Sequence, residues 1–331
     1  MGPIRKTLLA IAVIFLTSCS YFADLSKGKL ARQQDDLTRW MNEQKKIKVC
    51  ATTPLVADVV HRVGKEHISV ISLMGKQMDP HSYNIVKGDQ EKLDKADLIF
   101  ANGLSLEHSG SMRSALEKHK AKVVYLSDAL KHDQIIHISG SPDPHFWMDV
   151  NLWGQSIDLI KNKLKEVDPE NANYYEDNAQ GTHHTFDFLN DTIKKSMHSI
   201  PPEKRYLVTS HDAFNYYARA YLGSDNHYIN RVIAIQGLAP DEQITHAEIK
   251  RVVSYIETYK VKTIFAEKNL SQDSLKKVID SCRKSGYEVT LAKEELYGDT
   301  PGEKTYVQMM QINSDTINEN LGGNKSGCGC Y

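Results

Sequence analysis

Two kinds of apolar pattern alternate along this chain from Ile47 onward. Short apolar runs with strand length occur in KVCAT, HISVISLM, DLIFANG and AKVVYLS. Between them the apolar residues recur every three or four positions. Pro54 opens one such segment, with Val56, Val59, Val60 and Val63 on a single helical face. DQEKLDKA predicts a short helix, and Trp153, Ile157, Ile160, Leu164 and Val167 mark the stripe of a longer one. This βα alternation is that of an open sheet covered by helices.

Residues 168–200 break the alternation. Phe186, Leu189, Ile193 and Met197 form one seam, only Gly181 interrupts, and Pro201-Pro202 closes the run, which predicts a single long helix. Strand and helix patterns then resume: RYLVTS, a helix from Asp212, YINRVIAIQ, a helix through Ile249, Val252, Val253 and Ile256, VKTIFAE, a helix through Leu275, Val278, Ile279 and Cys282, YEVTLA, and a last helix from Thr305 to Leu321. The expected fold class is α/β, with two lobes that each carry a mostly parallel sheet flanked by helices, joined by one long connecting helix. The expected limits are 46–167 for the first lobe, 168–200 for the connecting helix, 201–322 for the second lobe and 323–331 for a flexible tail.

The N-terminus has its own pattern. Arg5 and Lys6 precede an uninterrupted apolar run from Leu8 to Leu16. That run is too short for roughly 30 Å of hydrocarbon, so residues 1–18 read as a signal peptide rather than a membrane span. Leu16-Thr17-Ser18-Cys19 resembles a bacterial lipobox, which makes Cys19 the expected lipidation site and residues 19–45 an anchor and polar tether. The expected location is the periplasmic or extracytoplasmic face of a membrane.

Composition narrows the function by exclusion. The 331 residues carry 41 Lys plus Arg against 42 Asp plus Glu, a net charge of -1 that argues against nucleic acid as a partner. Five cysteines are too few and scattered for a disulfide scaffold. Cys50 and Cys282 fall in apolar patterns as small core residues, and Cys328 and Cys330 in a Gly-rich tail.

The candidate chemistry lies in histidines at special places. Asp-Pro-His occurs twice, ending at His81 and at His145. Proline stiffens the backbone just before each imidazole, as a metal ligand requires. His211 follows RYLVTS directly, and Asp299 follows YEVTLA after a short loop. His81, His211 and Asp299 therefore lie beyond the carboxyl ends of predicted strands, where open α/β sheets bind ligands. Two residues come from each half, which places the site in the cleft between lobes. The remaining histidines are mostly background. His183-His184 diverge on a helix, and His108, His132 and His137 lie near the first-lobe loops as auxiliary candidates. Asp143, Asp149 and Glu267 are candidate partners of ligating histidines, each equally readable as a cap or surface acid. No H-E-x-x-H motif is present.

On LTSC, MDPHSYN, ANGLSLE, DPHFWMD, TSHDAFNYYA, IQGLAPDEQ, FAEKNLS and LYGDTPGEKTYVQMM, the chain resembles the TroA/PsaA/ZnuA-like metal-binding lipoproteins of bacterial ABC importers, with a lean towards their chlamydial branch. The resemblance implies a helical-backbone receptor without enzyme activity. It implies one divalent transition metal (Fe, Mn or Zn) carried as cargo by His81, His145, His211 and Asp299. It also implies an ABC permease and its ATPase as partners, and a monomer tethered to the membrane. Two departures matter: His211 stands where some manganese binders carry Glu, and the long His-rich loop of zinc scavengers is absent. Three imidazoles and a carboxylate suit Zn, Mn, Fe(II) or Co rather than Cu(I) or Ca. The alternatives weighed are a metal-dependent hydrolase and a surface adhesin with a structural metal.

Overall fold

A computed structural model of the chain describes residues 36–223, 225–240 and 244–324, without the side chains of 225–227. The expected signal peptide, Cys19, most of the expected tether, and Cys328 with Cys330 lie outside the described residues. Among the described residues, 36–46 belong to one unit, helical over 36–41, and those from Ile47 onward to a second compact unit.

The second unit opens with four parallel strands, β1 (Ile47–Ala51), β2 (Ile68–Ser72), β3 (Leu98–Ala101) and β4 (Val123–Tyr125), in the order β2-β1-β3-β4. Parallel neighbours need crossovers. These are supplied by α1 (Pro54–Gly64), α2 (Asp89–Lys95) and α3 (Gly110–Lys118). Helix α1 begins where sequence pattern places it, with Thr53 capping the Val56 N–H and Pro54 in the first turn. Its four valines are fully buried against the sheet.

After β4 comes a small antiparallel hairpin, β5 (His137–Ile138) with β6 (Ser141–Pro142). The helices α4 (Val150–Val167) and α5 (Ala172–Ser199) follow. Helix α5 spans about 42 Å at 1.5 Å per residue. It buries Tyr175, Ala179, Phe186, Leu189, Ile193 and Met197, and Gly181 does not interrupt it.

The second half repeats the plan of the first. Strands β7 (Leu207–Thr209) and β8 (Val232–Ala234) pair in parallel, as do β9 (Thr263–Ile264) and β10 (Thr290–Leu291). Phe265 N–H donates to Val208 O and links the two pairs, giving β8-β7-β9-β10, the same second-first-third-fourth order as in the first half. The helices here are α6 (Asn215–Tyr217), which runs into a π-helical turn at Ala218–Leu222, then α7 (His246–Tyr259), α8 (Asp273–Lys284) and α9 (Tyr306–Leu321).

One apolar core runs from Val49 and Phe100 in the first sheet through Trp147 and Trp153 to Phe214, Tyr217 and Tyr306. A second, smaller core of Val208, Ile256, Ile264, Leu275 and Val278 lies wholly within the second half. The two sheets therefore share packed material under α5, which disfavours wide opening of the cleft.

Three local expectations change. Val167 does not belong to the buried stripe of α4: it is the last helical residue and 47% exposed, because Asp168 closes the helix there. The long helix starts at Ala172 rather than 168, since Asp168 turns out of α4 and a 3₁₀ turn at Pro169–Asn171 precedes α5. No helix begins at Asp212. Residues 211–214 form a bend, and α6 starts three residues later.

Candidate metal centre

His81, His145, His211 and Asp299 converge at the carboxyl ends of the two sheets. One ligand atom from each lies within 4.8 Å of all the others, the one such His/Cys/Asp/Glu group among the described residues. His81 Nε2 is 3.1 Å from His145 Nε2 and 3.8 Å from Asp299 Oδ1. His145 Nε2 is 3.4 Å from Asp299 Oδ1, and His211 Nε2 is 3.2 Å from Asp299 Oδ2. Tetrahedral bonds of roughly 2.1 Å would set ligand atoms about 3.4 Å apart, so the spacing suits one small cation.

Local sequence explains how each ring arrives. At both Asp-Pro-His sequences the Asp side chain accepts from the His backbone N–H two residues on: Asp79 from His81 at 2.8 Å, Asp143 from His145 at 2.9 Å. This is the turn that short acids make with their own backbone, and proline holds it stiff. His211 follows β7 by two residues, and its backbone N–H donates to Glu267 Oε1 at 2.9 Å. Asp299 follows Gly298, where an added Cβ would lie 2.5 Å from Glu267 Oε2 and 3.1 Å from the His211 ring. Only glycine admits that approach.

Two rings are backed by buried carboxylates. Asp143 Oδ1 lies 2.7 Å from His145 Nδ1, and Glu267 Oε2 lies 2.6 Å from His211 Nδ1. These contacts fix each ring with Nε2 facing the cluster. Asp149, the third candidate, instead caps α4 by accepting from the Asn151 and Leu152 N–H groups. Asp212 accepts from Asn215 Nδ2, and burial pushes its carboxyl up to about 6.

The electrostatics follow from this burial and pairing. Burial opposes a charge on His145, but Asp143 and then Asp299 outweigh it and hold the imidazole up to about 9. His211 is raised well above the ordinary value because Asp299 and Glu267 overcome its burial. Burial acts to raise Asp299, but His211, His145 and His81 pull it well below the usual carboxylate range. His211 Nδ1 and Nε2, Glu267 Oε2 and Asp299 Oδ1 are buried without a well-formed hydrogen bond, so Glu267 backs His211 by charge at close range rather than by an aligned hydrogen bond. Positive charge is therefore favoured where these atoms meet, and a cation there would use donors that otherwise go unpaired.

Several positioning residues escaped the sequence reading. Asn215 Nδ2 donates to Asp143 Oδ2, and Tyr216 Oη donates to the Asp143 carbonyl, both across the cleft. Trp147 Nε1 donates to the Gly298 carbonyl, and Tyr306 Oη to the Trp147 carbonyl. The DPHFWMD segment is thus bonded to the second half, although it belongs in sequence to the first. The available signal was the aromatic density of FWMD and FNYYA, which reads equally well as core. His183 is not near the cluster's partners and instead faces Asp158 at 3.4 Å. His132 and His137 face each other, with ring centroids 6.1 Å apart.

The chain is similar to known proteins in both sequence and fold. Residues 49–320 match the family described as "Zinc-uptake complex component A periplasmic". The chain is 38% identical over 285 residues to the metal-binding protein YtgA of Chlamydia trachomatis, covering 84% of this chain and 86% of that one. It is 32% identical over 330 residues to the manganese-binding lipoprotein MntA of Bacillus subtilis, covering 96% and 99%. Its fold matches the crystal structure of Fe(III)-bound YtgA from Chlamydia trachomatis with a TM-score of 0.80 and 36% identity, over 84% of this chain and 99% of that one.

Proposed function

The chain belongs to the zinc-uptake component A family, and from that premise we propose that it is the extracytoplasmic substrate-binding component of a bacterial metal ABC importer. It captures one divalent transition metal with His81, His145, His211 and Asp299 and delivers it to a membrane permease driven by an ATPase. The observation that carries this reading is the convergence of three histidines and one aspartate from both halves of the chain on one buried point.

The donor set supports holding rather than turnover. Four protein ligands complete a tetrahedral shell and leave no obligatory position for an activated water. The metal is one that accepts imidazole and carboxylate, and the relatives are named for iron, manganese and zinc. Intrinsic affinity should rank Zn above Fe(II) and Mn, so cellular availability decides which is carried. Metal bridges residues of both lobes, and the permease reads the difference between the bridged and unbridged forms. We assign residues 46–167 and 201–322 to the two lobes and 168–200 to their connection. The protein acts as a monomer, held at the membrane by acyl chains on Cys19 after removal of residues 1–18. No helix among the described residues is long and apolar enough to cross a membrane.

The test is titration of chelator-stripped protein with Zn²⁺, Mn²⁺ and, without oxygen, Fe²⁺. One equivalent should bind. His81→Ala, His145→Ala and His211→Ala should each weaken binding by more than about 100-fold, beyond the loss expected from removing a ligand's outer partner. Circular dichroism should show the fold retained. Variants that bind as the parent does would overturn the assignment.

A further inference from the structure

A chamber of about 440 Å³ opens against the metal cluster on one side of the cleft. It is bounded by His81 and His108, by the hydroxyls of Ser105, Ser139 and Ser141, and by apolar walls that include Leu104 from the first half and Leu238 from the second. Six coordinated waters occupy roughly 180 Å³ at about 30 Å³ each, so a fully hydrated cation fits inside. Among the described residues no carboxylate lines it, which leaves imidazole as its strongest metal ligand.

His108 stands at a telling distance. Its ring centroid is 6.1 Å from that of His81, while His81 is 6.0 Å from His211 and 5.1 Å from His145. Two imidazoles that share one metal through bonds of roughly 2.1 Å have centroids about 5.3 Å apart at the tetrahedral angle and about 6.5 Å apart when opposed. The His81–His108 pair falls within that span, yet His108 is not a member of the four-residue cluster.

His81 is also the imidazole free to serve two sites. Its side chain is buried, its Nε2 faces His145 and Asp299, and its Nδ1 has no hydrogen-bond partner among the described residues. The other two rings are each fixed by a carboxylate at Nδ1. The walls of the chamber are built at a conformational cost. Of the six non-glycine residues with positive φ among the described residues, Leu104 (51°), Ser105 (63°) and Ser139 (51°) line it. Such strain persists only where the surroundings enforce it. For Leu104 and Ser105 the enforcing group is Glu107, buried, which accepts from Thr52 Oγ1, Asn102 N–H and Gly103 N–H and pins the loop that presents His108, while Ser139 sits with Gly140 in the turn of the β5–β6 hairpin.

We propose that this chamber is a transit site for the metal. A hydrated divalent cation exchanges one water for His108 and a second for His81, and His81 then passes it inward, where His145, His211 and Asp299 each replace one further water. Water leaves stepwise, so the cation never sheds its whole shell at once. This inference rests on the reading of the four-residue cluster as the metal site.

A transit site changes rates in both directions and leaves the resting equilibrium alone. Stopped-flow mixing of the chelator-stripped full chain with Zn²⁺, and release of Zn²⁺ from the loaded chain to a chromophoric chelator, give the two rates. In His108→Ala both should fall together by about tenfold, the effect of one lost contact in the barrier, with Kd unchanged. His108→Asn keeps a polar contact to water without an imidazole and should show the same slowing. Unchanged rates in both variants would overturn the proposal. So would a higher Kd with faster release, which would make His108 a resting ligand. A parent chain that takes up no Zn²⁺ at all would instead overturn the metal site itself, and the transit site with it.

Discussion

His145 and His211 each turn their Nδ1 towards a buried carboxylate, at 2.7 and 2.6 Å, whereas His81 has no such partner among the described residues. The contrast extends outward. The segment that carries His145 is bonded across the cleft through Asn215, Tyr216, Trp147 and Tyr306, so it is rigid with the second half. The loop that carries His81 is fixed locally by Asp79 and by the Tyr83–Asp89 hydrogen bond, and touches the second half through Lys76, which meets Thr300 and Glu303. Three ligands thus form a prepared wall and the fourth closes it. A receptor that must both hold and release a cation gains from this asymmetry. The wall supplies geometry without being rebuilt each time, and only the His81 side need adjust.

The largest expected effect is that of pH, because both carboxylate-backed rings are held above the ordinary imidazole value. His145 is held up to about 9 and His211 well above its ordinary value, so metal must displace protons at neutral pH. Affinity should rise by about tenfold per pH unit for each proton displaced, between pH 6.5 and 9. The metal-free protein should move the other way. A histidine whose folded pKa is raised adds stability in full below its unfolded value near 6.5 and loses it as pH climbs through about 9. Calorimetry of stripped protein should therefore show a lower Tm at pH 9 than at 6.5, while zinc titrations tighten over the same interval. Parallel trends in the two measurements would break the contrast between a charged wall and its closing ring.

Removal of a backing carboxylate comes next. Asp143→Asn keeps an acceptor near His145 Nδ1 but no charge, and should weaken metal binding by about tenfold. Glu267→Ala, which also frees the His211 backbone, should approach about 100-fold. Both should flatten the pH dependence. Asn215→Ala separates the two duties of Asp143: it removes the cross-cleft bond and leaves the His145 contact in place. Binding isotherms of the three variants should show the largest loss in Glu267→Ala, a smaller one in Asp143→Asn and the mildest in Asn215→Ala. An equal loss in all three would assign the effect to cleft geometry rather than to the rings.

The four residues that cluster were legible from sequence as candidate ligands, and most of their support was not, for a physical reason. Proline before histidine advertises a stiff presentation, and a histidine or aspartate just past a strand advertises a sheet's carboxyl end. Both signals are local. Asp143, Asp149 and Glu267 had equal standing because each lies near a motif, and only the fold separates two ring partners from a helix cap. Asn215, Trp147 and Gly298 act through contacts over 70 to 150 positions of chain, which no spacing rule encodes. Most strands and helices were readable, the exceptions being the β5–β6 hairpin, the 3₁₀ turn before α5 and the late start of α6. The sharing of one core between both halves was not, because Trp147, Phe214 and Tyr306 look like ordinary core residues of separate lobes.

The smallest expected effect tests the hold on the His81 side, where two contacts join the same short segments. Thr300 Oγ1 donates to the Lys76 carbonyl at 2.8 Å, and Thr300 is buried. Lys76 Nζ reaches Glu303 Oε2 at 2.6 Å, but both side chains are more than half exposed. Water screens the ion pair and not the hydrogen bond. Thr300→Val should therefore cost about 1 kcal/mol of stability, within the ordinary range for a lost hydrogen bond. Since the bond lies beside Asp299, a several-fold weaker hold on metal should accompany it. Lys76→Ala should cost less than about 0.5 kcal/mol and leave affinity within about twofold, and raised salt should erase the difference from the parent. Urea melts and zinc competition on the two variants give both quantities. If Lys76→Ala proved the costlier, closure on His81 would depend on surface charge, and the adjustable side of the cluster would respond to ionic strength as the prepared wall does not.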